Sequence, residues 1–313
     1  MVLPQNFSRI ALGTMQFLWT TTEKEAYKIL DTYYELGGNI IDTADMYTNW
    51  VDGLHGGEAE TIIGKWMKQR KNRDKIFLIT KVGSRVWEGP DGEGLSEKHV
   101  TKAIEKSLHR LQVDCVDLYL SHWSDPTIPI EETFAVYQSL MKQGKVCFIG
   151  CSNYSKEELQ EALQIGKKLG VQYTFLEAYY NLLDRKTYEE QFMPLVKQYN
   201  LQVMPYGPLA GGFLSGVYRK DKVLPTHARA EFIKEKMTEK NLVLIELLEV
   251  LAKKYDKTIS QVALTWLFSQ ENVIAPIIGA DTVQQIKDNF ISNSEWLKGE
   301  DVEFLNKITA YTS

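Results

Sequence analysis

Short apolar, β-branched runs alternate with longer amphipathic stretches almost throughout this chain, and that alternation most limits what it can fold into. The strand candidates are "RIALGT" (9–14), "NIID" (39–42), "KIFLITK" (75–81), "VDLYLS" (116–121), "VCFIGCS" (146–152), "TFLEA" (174–178), "QVMPY" (202–206) and "VIAPIIG" (273–279). Runs such as Ile76-Phe77-Leu78-Ile79 are apolar on both faces, as parallel strands covered on both sides require. The intervening stretches carry apolar residues at three- and four-residue spacings. In "SEKHVTKAIEKSLHRL" (96–111), Ser96 is a predicted N-cap, and Val100, Ile104, Leu108 and Leu111 form one stripe. "SKEELQEALQIGKKLG" (155–170) has the Ser155/Glu158 spacing of a capping box and stops at Gly170. Eight such βα units predict a (β/α)8 TIM barrel. The rival is an open doubly wound sheet, but no G-x-G-x-x-G follows the first strand.

No Pro-, Gly- or Ser-rich linker divides the 313 residues, so one domain over 1–313 is the expectation. The longest irregular segment, 207–232, follows the seventh strand, where a long barrel loop is more often functional than not. A net charge of −5 with no Lys/Arg stripe argues against a nucleic-acid partner. "KQRKNRDK" (68–75) is the densest basic patch, and it falls in a helix-to-strand connection. No signal pattern and no apolar run of membrane-spanning length is present, which predicts a soluble, reduced, cytoplasmic protein without a membrane partner. The three cysteines, Cys115, Cys147 and Cys151, form no C-x-x-C pair and are read as inert core thiols. No metal site is expected.

If the barrel forms, the strand C-termini share one rim, where barrel active sites are built. In chain order that rim carries Asp42, Tyr47 in the next loop, Lys81, and His122 in "SHW". Together they supply a carboxylate, a phenol, an ammonium and an imidazole on adjacent strand ends.

In these residues the chain resembles the aldo-keto reductases: Asp42 and Tyr47 fit "DTAxxY", Lys81 follows the third strand and His122 the fourth. "GCSNY" (150–154), "YNLLDR" (180–185), "PYGPLAGGFLSG" (205–216) and "PIIGADTVQQIKDN" (276–289) extend the likeness over nearly the whole chain. The resemblance implies an oxidoreductase that interconverts aldehydes, ketones or sugars with alcohols by hydride transfer from a nicotinamide cofactor. Tyr47 would then be the general acid/base, Lys81 its activator, Asp42 the anchor of Lys81, and His122 the group orienting the carbonyl. An ammonium about 4 Å from the phenol favours phenolate by up to ~4 kcal/mol at an effective dielectric of 20, roughly three pKa units before desolvation of the phenolate takes part of it back, which leads one to expect an acidified Tyr47.

The same resemblance implies cofactor contacts at Thr14, Met15, Asp42, Ser152, Asn153 and Glu177. It further implies Tyr206 as the ring stacked on nicotinamide, with Gly207, Pro208, Leu209, Gly211, Leu214 and Gly216 as the turn over the pyrophosphate. Gly279, Asp281, Gln285 and Asn289 would grip the adenosine end, and Arg229 the ribose phosphate. Three departures from the family pattern stand out. Glu177 replaces a usual Gln, Gly207 a frequent Ser, and Asp281 a basic or hydroxyl residue. A carboxylate at 281 repels the 2′-phosphate of NADP and suits a ribose hydroxyl, so it argues for NAD(H), whereas the family slightly favours NADP(H). Tyr47 and His122 with Trp19, Trp50 and Trp123 are the substrate-wall candidates; Met15 and Trp87 are further candidates, Trp87 more readily explained by core packing. The rival reading is a cofactor-binding redox-sensing subunit of the potassium-channel β type. The absence of an extended arm before the first strand favours an enzyme. The sequence leaves homo-oligomerisation and the substrate open.

Overall fold

The computed structural model of the protein describes residues 7–89, 91–219 and 230–311. Eight strands form a closed, wholly parallel barrel in chain order: β1 (Ala11–Gly13), β2 (Ile40–Asp42), β3 (Phe77–Val82), β4 (Val116–Ser121), β5 (Val146–Ser152), β6 (Phe175–Tyr179), β7 (Gln202–Tyr206) and β8 (Ile277–Ile278). Closure comes from β8 pairing back on β1, with Ala11 opposite Ile277 and Leu12 opposite Ile278. The predicted (β/α)8 barrel is therefore the observed fold. Strands β4, β5 and β7 coincide with the runs read from sequence. The last strand is much shorter than "VIAPIIG", because Pro276 has no N–H to extend the ladder backwards.

Among the described residues the helices are α1 (Glu23–Glu35), α2 (Glu58–Arg70), α3 (Glu97–Leu111), α4 (Ile130–Lys142), α5 (Lys156–Leu169), α6 (Met193–Tyr199), α7 (Ala230–Lys236), α8 (Glu239–Tyr255), α9 (Ile259–Leu267), α10 (Val283–Asn289) and α11 (Gly299–Ile308). Their ends obey local chemistry. Ser96 accepts a hydrogen bond from the His99 N–H at the start of α3. Ser155 and Glu158 form a reciprocal capping box on α5, which Gly170 ends at φ 72°. The stripe Val100, Ile104, Leu108 and Leu111 is buried as its spacing predicts. Within 207–232, Ala210–Ser215 makes a tight turn kinked at the left-handed Gly211 and Gly212, and α7 begins at Ala230. No described helix is long and apolar enough to cross a membrane.

The barrel interior is a separate apolar column of Ala11, Ile40, Phe77, Ile79, Leu118, Leu120, Phe175, Met204, Ala275 and Ile277. Side chains of one strand face alternate sides, so the residue two positions beyond an inward-facing one also faces inward. Advancing one such step past this column reaches Asp42, Lys81, His122, Glu177 and Tyr206. The polar layer is thus the top course of the same stack. Phe148, packed against the column, leads by the same step to Gly150 and then Ser152. A Cβ on Gly150 would lie 2.6 Å from Leu120 and from the Phe175 carbonyl, so the crowded interior requires glycine there.

The cysteines correct the inert-core expectation in part. Cys151 is buried, but Cys115 and Cys147 are half-buried. Their sulfurs lie 3.4 Å apart at the barrel end opposite the polar layer, where strands enter and helix cover is incomplete.

Candidate active site

Lys81 is the centre of the polar layer. Its side chain is 2 % exposed. The ammonium contacts the Asp42 carboxylate and donates to the Thr43 carbonyl at 3.0 Å and to the Tyr47 hydroxyl at 3.3 Å. It also pairs with Glu177 at 3.4 Å. The four residues proposed from sequence do converge, Asp42 and Lys81 from neighbouring strands and Tyr47 from the loop after β2. That loop stays tied to β3 by backbone bonds, Thr43 N–H to the Ile79 carbonyl at 3.1 Å and Asp45 N–H to the Lys81 carbonyl at 3.3 Å. Thr48, at φ 78°, then turns the chain, and its hydroxyl donates to Glu58 at 2.7 Å. The loop holding Tyr47 is therefore braced at both ends.

Burial dominates the electrostatics. It raises the Tyr47 phenol well above its ordinary value; Lys81 pulls the other way, and Asp42 and Glu177 reinforce the rise. The expected acidification fails because desolvation of the phenol outweighs the Lys81 charge, and the Asp42 and Glu177 charges add to the rise. For Lys81 burial alone would lower the pKa, but Asp42 and Glu177 outweigh it and hold the ammonium charged. Glu177 is pushed well above the carboxylate range by burial and by Asp42, and its Oε1 is buried without a partner.

His122 is half-buried, with Nδ1 3.4 Å from the Ser84 hydroxyl. Burial and then the Lys81 charge lower its pKa to about 3. An unfolded histidine titrates near ~6.5, so between ~6.5 and about 3 the unfolded chain binds the extra proton. Stability contributed by His122 is therefore complete above ~6.5 and is lost as pH falls towards 3. A melting series from pH 8 to pH 4 is expected to show a shallower decline for His122→Gln than for the parent; equal slopes would remove His122 from this effect.

Around Tyr47 runs a chain of aromatic rings. Trp50 lies 6.3 Å and His122 6.0 Å from the Tyr47 ring, Trp19 lies 5.7 Å from Trp50, and Trp123 stacks on His122 at 6.0 Å. Trp50 and Trp123 remain 40 % and 51 % exposed, so faces of both are open at the rim. Trp87 packs on His99 at 4.7 Å with Lys102 and Lys106 over its ring, which makes it a packing residue of α3. Met15 packs half-buried against the core.

The remaining sequence-derived positions divide. Thr14 is fully buried, its hydroxyl donating to the Asp42 carbonyl at 2.9 Å. Ser152 is buried at the end of β5. Asn153, at φ 55°, donates to the His122 carbonyl at 2.9 Å and accepts from the Tyr206 hydroxyl at 2.7 Å, locking three strand ends together. Gly207, at φ 62°, has the Tyr179 ring 2.4 Å from where a Cβ would stand, which explains glycine at that place. Gly211, Gly212 and Gly216 have φ 68°, 103° and 73°, a turn that only glycine adopts freely. Leu209 is half-buried; Pro208 and Leu214 are buried, Leu214 completely, so Leu214 offers only backbone. Asp281 accepts from the Thr20 hydroxyl, and its N–H donates to Gln285 at 2.6 Å. Gly279 is exposed and Asn289 buried. Arg229 lies outside the described residues. Sequence reasoning missed Thr43, Ser84 and Thr20; Thr43 and Ser84 carried a signal, in their nearness to Asp42 in "DTAxxY" and to Lys81 in "KVGS".

The family model for the aldo/keto reductase family matches residues 9–310. The chain belongs to that family and is an oxidoreductase. It is 35 % identical to the uncharacterized oxidoreductase YrpG of Bacillus subtilis, over 96 % of this chain and 92 % of that one. It is 31 % identical to the NADH-specific methylglyoxal reductase of Escherichia coli, over 90 % and 88 % of the two chains. A probable voltage-gated potassium channel subunit beta of Oryza sativa is 30 % identical over 85 % and 81 %.

Proposed function

We propose that this protein reduces small aldehydes or ketones, and oxidises the corresponding alcohols, at the Tyr47 hydroxyl. The observation that carries the reading is the buried contact of Tyr47 with Lys81, 3.3 Å long, at an open aromatic rim. A bound nicotinamide cofactor would supply the hydride at the carbonyl carbon. The chain fits such a group: the turn 207–216 has four left-handed glycines, the half-buried Tyr206 ring stands beside it, and the Glu177 and Gln16 side chains each keep a buried oxygen without a partner. Ser152, Asn153 and Tyr206 would hold the nicotinamide end, and Gly279, Asp281, Gln285 and Asn289 the other.

The protein's own steps follow from the electrostatics. Tyr47 stays protonated at neutral pH, because burial raises its pKa. It donates a hydrogen bond to the carbonyl oxygen and, as negative charge develops there, gives up its proton. The resulting phenolate lies beside an ammonium that two carboxylates hold in place. His122, neutral above about 3, can donate its one ring N–H to the same oxygen. The rings of Trp50 and Trp123 exclude water from one side of the carbonyl. Turnover of a panel of aldehydes and ketones with NADH and NADPH tests the reading; tight nucleotide binding with no turnover would instead support a redox-sensing subunit, which the 30 % identity to the rice channel subunit favours.

For the cofactor, the reading is a preference for NAD(H), since the carboxylate at 281 is oriented by the Thr20 hydroxyl, its backbone N–H is held by Gln285, and like charge opposes a 2′-phosphate. Asp281→Asn is expected to lower KM for NADPH roughly tenfold, about 1.4 kcal/mol, with little change for NADH. A parent enzyme that strongly prefers NADPH would sink the assignment.

A further inference from the structure

At the barrel end opposite Tyr47, Cys115 stands one residue before β4 and Cys147 is the second residue of β5. Their sulfurs are 3.4 Å apart, and neither residue is fully buried. Cys115 forms part of the wall of an open cavity of about 650 Å³, with Lys68, Lys71, Arg73, Asp74 and Gln112 among its other lining residues. A small reagent in this cavity therefore meets Cys115, whose sulfur is in contact with that of Cys147. Cys151, the remaining thiol, is fully buried and is one residue from the other end of β5.

We propose that Cys115 and Cys147 are a reversible dithiol–disulfide site whose oxidant is a low-molecular-weight disulfide. In the first step a thiolate of the pair attacks one sulfur of the reagent, forming a mixed disulfide and expelling one small thiolate. In the second step the partner thiol, deprotonated, attacks the protein sulfur of that mixed disulfide and expels the other half of the reagent. Two protein S–H bonds become one S–S bond, and the reagent's S–S bond becomes two thiols. Closure shortens the sulfur separation from 3.4 Å to about 2.05 Å; Cys115 lies just outside β4, its carbonyl held by the Arg73 guanidinium at 2.7 Å. Burial, the neighbouring Cys147 sulfur and Asp117 push the Cys115 thiol up to about 12, opposed by Arg73. Thiolate is therefore scarce at neutral pH, and the exchange accelerates as pH rises.

The test uses the full chain, folded, with excess glutathione disulfide at alkaline pH, followed by alkylation of free thiols and peptide mapping. Three alkylatable thiols are expected to fall to one, with 111–142 linked to 146–156 and Cys151→Ser showing the same link. Dithiothreitol is expected to restore all three. In Cys147→Ser, Cys115 is expected to keep the glutathionyl group, because no second thiol displaces it. Three free thiols after treatment, separate glutathione adducts on both residues, or a link that requires Cys151 would each overturn the site. Parent and variants are compared by circular dichroism, and the parent result stands without any substitution.

Discussion

Replacing Tyr47 with Phe is expected to lower kcat for carbonyl reduction by about 10²–10⁴-fold while leaving nucleotide affinity nearly unchanged. The substitution removes a single oxygen. The Tyr47 ring, 9 % exposed and packed against Trp50 and His122, stays in place, so the fold keeps its contacts. What disappears is the proton donor at the oxygen where alkoxide charge grows, and the Lys81 ammonium is left 3.3 Å from nothing that can carry that charge. Pre-steady-state hydride transfer and direct nucleotide titration separate the two effects. A Tyr47→Phe enzyme with parental single-turnover rates would remove Tyr47 from the chemistry.

Replacing Lys81 with Met is expected to cost both stability and rate. Lys81 is the cation shared by Asp42 and Glu177, and the side chains of all three are at most 3 % exposed. Deleting one partner of a buried ion pair typically costs about 3–5 kcal/mol, because the remaining charge has neither water nor counter-ion. The urea midpoint of Lys81→Met should fall accordingly, and kcat with it, since phenolate would form beside bare carboxylate. Adding Glu177→Gln to Lys81→Met is expected to recover part of the stability and none of the rate. If Lys81→Met unfolds at the parental urea concentration, the buried triad is not the anchor described.

The two substitutions differ because Tyr47 and Lys81 belong to different parts of the architecture. Lys81 is an inward-facing strand residue, so its loss is felt by the stack beneath it. Tyr47 belongs to a loop that merely reaches over that stack.

Much of this was legible in the sequence for a local reason. Strand and helix patterning, the caps at Ser96 and Ser155 and the glycine stop at 170 depend on neighbours a few residues away, and the structure reproduces them. The polar layer was legible too, in a signal available at each strand: Ile40-x-Asp42, Phe77-x-Ile79-x-Lys81, Leu118-x-Leu120-x-His122 and Phe175-x-Glu177 each step from apolar to polar at period two. Which residues meet across strands was not written locally. That Tyr47 is buried beside a Lys81 shared by Asp42 and Glu177, and that this burial reverses the expected acidification, follows only from closure of the barrel. Closure also put Cys115 against Cys147, 32 residues apart, and Thr20 against Asp281, 261 residues apart. The chain by itself determined the repeating unit and the chemical types at its rim, because hydrophobic period and capping act over a few residues. Tertiary structure decided the burial and the charge balance at Lys81, because desolvation and Coulomb energies depend on distances that only the closed barrel sets.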